Sequence, residues 1–379
     1  IEEVGLLKMD FLGLRNLTVI DYILKSIEKN TGEKININTI PLDDKKVYEL
    51  IAAGDTFGVF QLESDGMKQL LRKMKVSCFD DIIAANALFR PGPMENIPLF
   101  LARKHGESPV ESLHPDLDQI LKPTYGVMIY QEQLMQVAQR LAGFSLAKAD
   151  ILRKATSKKE TKLMESLKVE FIEGALKNGY DETLANKVFE LILKFANYGF
   201  NKSHSVAYAY VAYQMAYLKV HYPLEFFAAL ISSESGSTTS KLSLIQEGKK
   251  YGVTLLPPSI NRSTERFKVE DHNIRYALTA IKNVGDAVYK EIEAIRQDGL
   301  FSDIFDFFIR IYQHRISAKT IESLIDAGAL DEFGYSRAMM KENISILLEY
   351  SEVYSKLGIT DKPILKVAED QYLERLEKE

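Results

Sequence analysis

Tyr198-Gly199-Phe200-Asn201-Lys202-Ser203-His204-Ser205, with the run that follows it from Val206 to Leu218, decides the fold class of this chain. In the second part apolar and aromatic residues recur at helical spacing, and Tyr210, Tyr213 and Tyr217 fall on one stripe, which predicts a buried or half-buried helix. The first part crowds Asn, Lys, Ser and His at that helix's start, where free backbone N–H groups and the helix dipole favour an anion. Two readings stand side by side: a phosphate site, or a Ser-capped helix whose tyrosines pack on a neighbour. The stripe fits the second reading, whereas Lys202 and His204 are hard to explain as core.

Outward from this helix, most of the first 230 residues read as helices separated by Pro and Gly. Pro41-Leu42-Asp43-Asp44 predicts a helix start, with Gly54 placed to close that helix. Met128 to Leu141 carries another helical pattern, while Thr56 to Gln61 resembles a short strand. The small polar residues from Ser232 to Ser240 cannot bury a core and suggest a domain joint. Beyond them Val253 to Leu256 reads as strand, and Phe267-Lys268-Val269 and Ile274-Arg275-Tyr276 flank a turn-prone Asp271-His272-Asn273, predicting a β hairpin. The tail from about Ser336 reads as charged helix, and its last residues as a solvated connector. The expected fold is mainly α and multi-domain, with a small α+β segment and a C-terminal helix-hairpin-helix region.

Composition narrows the chemistry. A chain of 379 residues predicts more than one compact unit, and its 46% hydrophobic content supports globular packing. No apolar run is long enough to cross a bilayer, and no basic, apolar leader is visible, so a cytoplasmic protein that meets no membrane is expected. The single Cys78 allows no internal disulfide, and the six scattered histidines suggest no zinc cluster. The net charge of −5 argues against a protein that coats nucleic acid everywhere. Locally the balance reverses: from Lys148 to Lys168 seven basic residues face three acidic ones.

Four further segments could carry chemistry. Lys8-Met9-Asp10-Phe11-Leu12-Gly13-Leu14-Arg15 runs from apolar residues to a carboxylate and a turn, so Asp10 fits a helix-start acid as well as a metal ligand. Arg153-Lys154 together with Lys158-Lys159 could grip a triphosphate or a nucleic-acid backbone, Arg through its fork and Lys as a point charge, or could form a solvated helix face. Phe89-Arg90-Pro91-Gly92-Pro93 reads as a rigid turn holding one guanidinium. Ala280-Ile281-Lys282-Asn283-Val284-Gly285-Asp286 predicts a short helix, a tight turn at Gly285 and a second helix, exposing amides to phosphate without reading bases. Ile316 to Gly328 offers a second such unit; either could equally be a packing αα-hairpin. No Ser/His/Asp triad, P-loop or Rossmann fingerprint is visible.

Taken together, Lys8 to Leu14, Val59-Phe60-Gln61-Leu62-Glu63-Ser64, Leu88 to Pro93, Pro123-Thr124-Tyr125-Gly126, Tyr130-Gln131-Glu132-Gln133, Leu152-Arg153-Lys154-Ala155 and Tyr198 to Ser205 resemble, in order, the bacterial DNA polymerase III alpha-subunit family of DnaE type. The resemblance extends over essentially the whole chain. It implies that 1–16 end a catalytic palm, 17–235 form the fingers, 236–335 hold the hairpin and tandem helix-hairpin-helix elements, and 336–379 lead towards a clamp-binding domain. It also implies that Asp10 is a catalytic carboxylate and Mg²⁺ ligand, and that Lys8, Arg153, Lys154, Lys202, Ser203 and His204 meet the incoming dNTP. Arg90, Lys158, Lys159, Lys282, Asn283, Val284 and Gly285 would meet DNA.

Departures from the family pattern matter as well. Where relatives often carry paired arginines, this chain has Arg153-Lys154, which keeps the charge and loses one bidentate fork. The family's Pro-Asp-x-Asp-x-Asp segment is missing, and Gln371-Tyr372-Leu373 is a poor clamp-binding peptide. The chain therefore reads as a piece of a longer polymerase that works with primer-template DNA, dNTP, a sliding clamp and other replisome subunits, and it is expected to be inactive alone. An alternative from another class is a noncatalytic helix-hairpin-helix DNA-binding module, and a translesion relative of the same enzyme would share all these motifs.

Overall fold

The computed structural model describes residues 4–6, 9, 13–158, 161–195, 199–234, 238–357, 370 and 374. Of the expected site residues, Lys8, Asp10 and Lys159 and the side chain of Lys158 lie outside this description. The described residues divide into two compact units: Asn36–Val220, and the residues up to Ile35 together with those from His221 onward.

Among its described residues, the unit Asn36–Val220 is mainly helical. Its helices, counted after α1 (Arg15–Thr31), are α2 (Lys45–Ala52), α3 (Asp65–Met74), α4 (Phe79–Leu88), α5 (Ile97–Lys104), α6 (Pro115–Leu121), α7 (Gln131–Ala142), α8 (Leu146–Lys158), α9 (Thr161–Lys177), α10 (Glu182–Phe195) and α11 (Lys202–His221). The expected start at Asp44 is an N-cap: its carboxylate accepts from Lys46 N and Val47 N, satisfying amides that have no partner within the helix. Helices α7 to α10 enclose a core of Leu134, Val137, Leu141, Leu152, Phe171, Phe189 and Ile192. The closeness of α7 and α9 depends on Gly174: a Cβ there would lie 2.2 Å from the Ala142 carbonyl oxygen.

Thr56 to Gln61 is not a strand. Its amides close successive turns, Val59 N to Thr56 O and Leu62 N to Val59 O, and the Thr56 hydroxyl donates to Leu62 O. Positive φ at Gly58 and Gln61 breaks the extended path that the Val-Phe pair suggests. Of the tyrosine stripe, Tyr213 is fully buried and packs near Tyr48 and Phe79, while Tyr210 and Tyr217 are half-buried.

The other unit contains α1, α12 (Pro223–Ser233), α13 (Thr238–Lys249), α14 (Asp286–Gln297), α15 (Ile304–Gln313), α16 (Ala318–Ala327), α17 (Arg337–Glu342) and α18 (Ile344–Leu357). The polar Ser232–Ser240 stretch covers the end of α12 and the start of α13, and α12 packs on both α1 and α13. A three-stranded sheet has the order β1-β3-β2, with β1 (Leu255–Leu256) parallel and β2 (Lys268–Glu270) antiparallel to β3 (Asn273–Arg275). The expected hairpin is present: Asp271 and His272 both take positive φ, the geometry that lets a two-residue loop follow strand twist.

Two details differ from expectation. The first hairpin element before α14 is only a 3₁₀ turn, Leu278–Ala280, and the left-handed residue is Asn283, while Gly285 is an extended N-cap. Asn283 can hold φ > 0 because its side chain donates to the Ser323 hydroxyl and its carbonyl accepts from Thr320. The tail is helical as expected as far as Leu357, with Leu347, Tyr350 and Ser351 buried, while the last residues, expected to form a solvated connector, lie outside the described residues except for 370 and 374. The apolar face of α15, with Phe305, Phe307, Phe308 and Ile311, needs a cover, and α18 supplies it through contacts such as Phe305 against Tyr350. Each such side chain contributes about 2 kcal/mol when fully buried.

Candidate functional site

The segment Gly199–Asn201, which leads into α11, runs alongside the residues that start α7. Phe200 N donates to Ile129 O and Gln131 N to Phe200 O, forming an isolated parallel bridge between Tyr130 and Phe200. The Gln131 side chain carries the link further: its amide nitrogen donates to Gly199 O at 3.1 Å, and its oxygen accepts from Arg153 Nη1 at 3.2 Å. Arg153 on α8 is thereby tied to the start of α11 through one glutamine. Arg90, from the Pro-Gly turn after α4, lays its guanidinium over the Phe200 ring at 4.1 Å. Burial lowers the pKa of Arg90 from its usual value.

The N-terminus of α11 is already engaged by the protein's own acceptors. Lys202 N donates to both carboxylate oxygens of Glu132, at 3.1 and 2.9 Å, and His204 N donates to Asn201 Oδ1 at 2.8 Å. Two of the amides that could have met a phosphate are thus occupied, and the dipole meets an internal carboxylate. The Lys202 ammonium lies over the Tyr130 ring at 5.3 Å. Burial, then the carboxylates of Asp80 and Glu132, push the Tyr130 hydroxyl's pKa upward. An open pocket of about 600 Å³ is lined by Glu132, Lys202, Ser203, Val206, Ala207 and Tyr210.

Charge on α8 is similarly pre-paired. Asp150 Oδ1 accepts from Arg153 Nε at 2.8 Å and lies 2.8 Å from Nη2, while Asp150 Oδ2 lies 2.8 Å from Lys154 Nζ. Hydrogen bonds from Lys154 and then Arg153 hold the Asp150 carboxyl below the usual range. Arg153 is 26% exposed and Lys154 60%, so water and ligands can reach both. Rings continue the site along α11: Phe200 to His204 at 5.5 Å, His204 to Tyr208 at 4.1 Å, and Tyr208 to Phe60 at 5.1 Å between centroids.

Arg90, Arg153, Lys202, Ser203 and His204 are therefore gathered around the start of α7, with Lys154 joined to them through Asp150. Lys282, Asn283, Val284 and Gly285 belong to the other unit, where Lys282, Asn283 and Gly285 are exposed at the head of α14 and Val284 is buried. Sequence reading assigned no role to Gln131, Glu132 or Asp150. The available signal was polar residues at the start of a helix, Gln131-Glu132, and an acid three and four residues before two cations. Among the described residues, no three His, Cys, Asp or Glu side chains gather as a metal site, and no helix is long and apolar enough to cross a membrane.

The bacterial DNA polymerase III alpha subunit finger domain family matches residues 16–179, and a helix-hairpin-helix motif family matches residues 252–340. DNA polymerase III subunit alpha of Bacillus subtilis (strain 168) is 49% identical over 355 residues, which is 94% of this chain and 32% of that protein. The protein of the same name from Staphylococcus aureus (strain COL) is 49% identical over 349 residues, 92% of this chain and 33% of that protein. The chain spans about a third of the length of these curated relatives.

Proposed function

We propose, from the premise that this chain carries the finger domain of the bacterial DNA polymerase III alpha-subunit family and a helix-hairpin-helix motif, that it binds the incoming dNTP of a template-directed DNA polymerase. The observation that carries this reading is the linkage of Arg153, through Gln131, to the Gly199–Lys202 segment that starts α11. One packed arrangement supports a guanidinium fork, an ammonium and a row of rings beside an open pocket. Arg153 and Lys154 would take phosphate oxygens, Arg153 through two parallel donors and Lys154 as a point charge. Lys202, Ser203 and His204 would face the same ligand; Lys8, a phosphate-facing residue by the family resemblance, lies outside the described residues.

The parent protein would extend primers during replication in the cytoplasm, alongside a sliding clamp and other replisome subunits. Asp10 would be one of its carboxylates. Mg²⁺ would supply charge neutralisation at the reacting oxygens of such a polymerase. The described residues do not assemble a donor set for it, and Asp10 lies outside them. Primer-template DNA would be held without base reading by Arg90, Lys158 and Lys159, and by the exposed Lys282–Gly285 loop, whose Val284 packs inward as an anchor.

The test is equilibrium binding of a fluorescent dNTP to the purified chain. Arg153→Ala and Lys202→Ala should each weaken it about tenfold, the scale of one charge-assisted contact. Binding indifferent to both changes, with duplex-DNA binding lost on Lys282→Ala, would instead support the noncatalytic DNA-binding module.

A further inference from the structure

Both cations of the α8 pair share one partner. Asp150 engages Arg153 through Oδ1 and Lys154 through Oδ2, every separation being 2.8 Å. The spacing is built into the helix: residues three and four positions after Asp150 face it on the same side. The carboxylate is 35% exposed and so remains displaceable. Nearby, Glu132 plays an analogous part by occupying the first amide of α11. The site thus holds its own anions at the positions where a phosphate ligand would bind.

We propose that Asp150 is a specificity-determining residue, an internal counter-ion that makes the Arg153-Lys154 pair selective for polyphosphates over single phosphate groups. The inference rests on the nucleotide reading of this site. A lone phosphate exchanges with a carboxylate of comparable charge at the same donors and gains little. A triphosphate carries several charges on linked groups, so it can engage Arg153 and Lys154 together and displace Asp150 from both at one entropic cost. Without Asp150 the two cations would attract any phosphate, including a nucleic-acid backbone, with less discrimination. Gln131 keeps the Arg153 fork oriented during the exchange, because its oxygen accepts from Nη1 independently of the carboxylate.

The experiment measures affinities of the full 379-residue chain for inorganic tripolyphosphate and inorganic phosphate by calorimetric competition, in parallel for the parent, Asp150→Asn, Asp150→Glu and Arg153→Ala. Asp150→Asn keeps the side chain's size and removes its charge. It should tighten inorganic phosphate about fivefold, the factor matching loss of one exposed ion-pair competitor, and lower the tripolyphosphate-to-phosphate ratio severalfold. Asp150→Glu should restore much of the ratio, which a purely structural role for Asp150 would not predict. If Arg153→Ala weakens tripolyphosphate while Asp150→Asn leaves the ratio unchanged, the counter-ion role is wrong and the nucleotide reading stands. If tripolyphosphate does not bind, or binds equally without Arg153, the nucleotide reading falls and this inference with it. Circular-dichroism melting of each variant separates misfolding from altered binding, and Asp150→Glu provides a folded comparison that keeps the charge.

Discussion

Lys219 and Arg153 are both cations in the Asn36–Val220 unit, yet they are held in opposite ways. Lys219 is fully buried near the end of α11, and its ammonium donates to Asp55 O at 2.9 Å, Phe57 O at 3.2 Å and Asp55 Oδ1 at 3.3 Å. Two of these acceptors are backbone carbonyls that cannot rotate away. Arg153 is partly exposed and leans on Asp150 and Gln131, side chains that can exchange it for a ligand. A buried charge must be satisfied by fixed groups because desolvation makes any alternative costly. A half-exposed charge pays little to change partners. The contrast separates a cation that shapes the Asp55–Leu62 loop from cations available for binding.

The largest expected effect comes from breaking the buried side of this comparison. Lys219→Met strands two carbonyls and should lower unfolding stability by about 3 kcal/mol in urea titrations. A change below about 1 kcal/mol would show that Lys219 is not the clamp for this loop. A smaller effect is expected at Tyr213 on the same helix, whose hydroxyl donates to Pro41 O at 2.7 Å and accepts from Asp44 N at 3.2 Å. Tyr213→Phe should cost about 1 kcal/mol.

Burial pushes the Tyr213 hydroxyl up to about 12 from an ordinary value of 10.0. The folded state therefore favours the neutral phenol. Its contribution to stability is complete below pH 10 and is lost as pH rises through about 12. Ultraviolet titration of tyrosinate in the parent and in Tyr213→Phe checks this, and a Tyr213 titration near 10 would remove the pH-dependent part of the prediction. The smallest effect belongs to the exchangeable side. A double-mutant cycle between Asp150 and Arg153 should give a coupling of about 0.5 kcal/mol at low salt that fades in 1 M salt. A coupling of several kcal/mol, insensitive to salt, would make this pair as fixed as the Lys219 clamp.

Much of the fold is legible in the residues themselves. The period of α11, the Asp44 cap and the Asp271-His272-Asn273 hairpin follow from local rules of spacing, capping and turn preference. Other features resist such rules. Thr56 to Gln61 has strand composition, but positive φ at Gly58 and Gln61 turns it, and the Lys219 clamp joins it to a helix more than 150 residues away in sequence. The left-handed position before α14 falls on Asn283 instead of Gly285 because α16 supplies partners for its side chain and carbonyl. Tyr350 belongs to the core because α15 offers an apolar face that no neighbouring residue in sequence can cover.

The candidate site divides in the same way. Sequence alone identifies the cationic residues Arg153, Lys154 and Lys202, because charge and side-chain type are properties of single residues and of short motifs. It also determines that Asp150 sits three and four positions before two of them, since helical geometry fixes that neighbourhood. Only the tertiary structure decides that Gln131 joins Arg153 to the start of α11, that Glu132 occupies the amide of Lys202, and that Lys219 is buried while Lys154 is exposed. Those outcomes depend on which helices pack together and on what each side chain loses in solvation when they do. Neither quantity is carried by the residue or its neighbours along the chain.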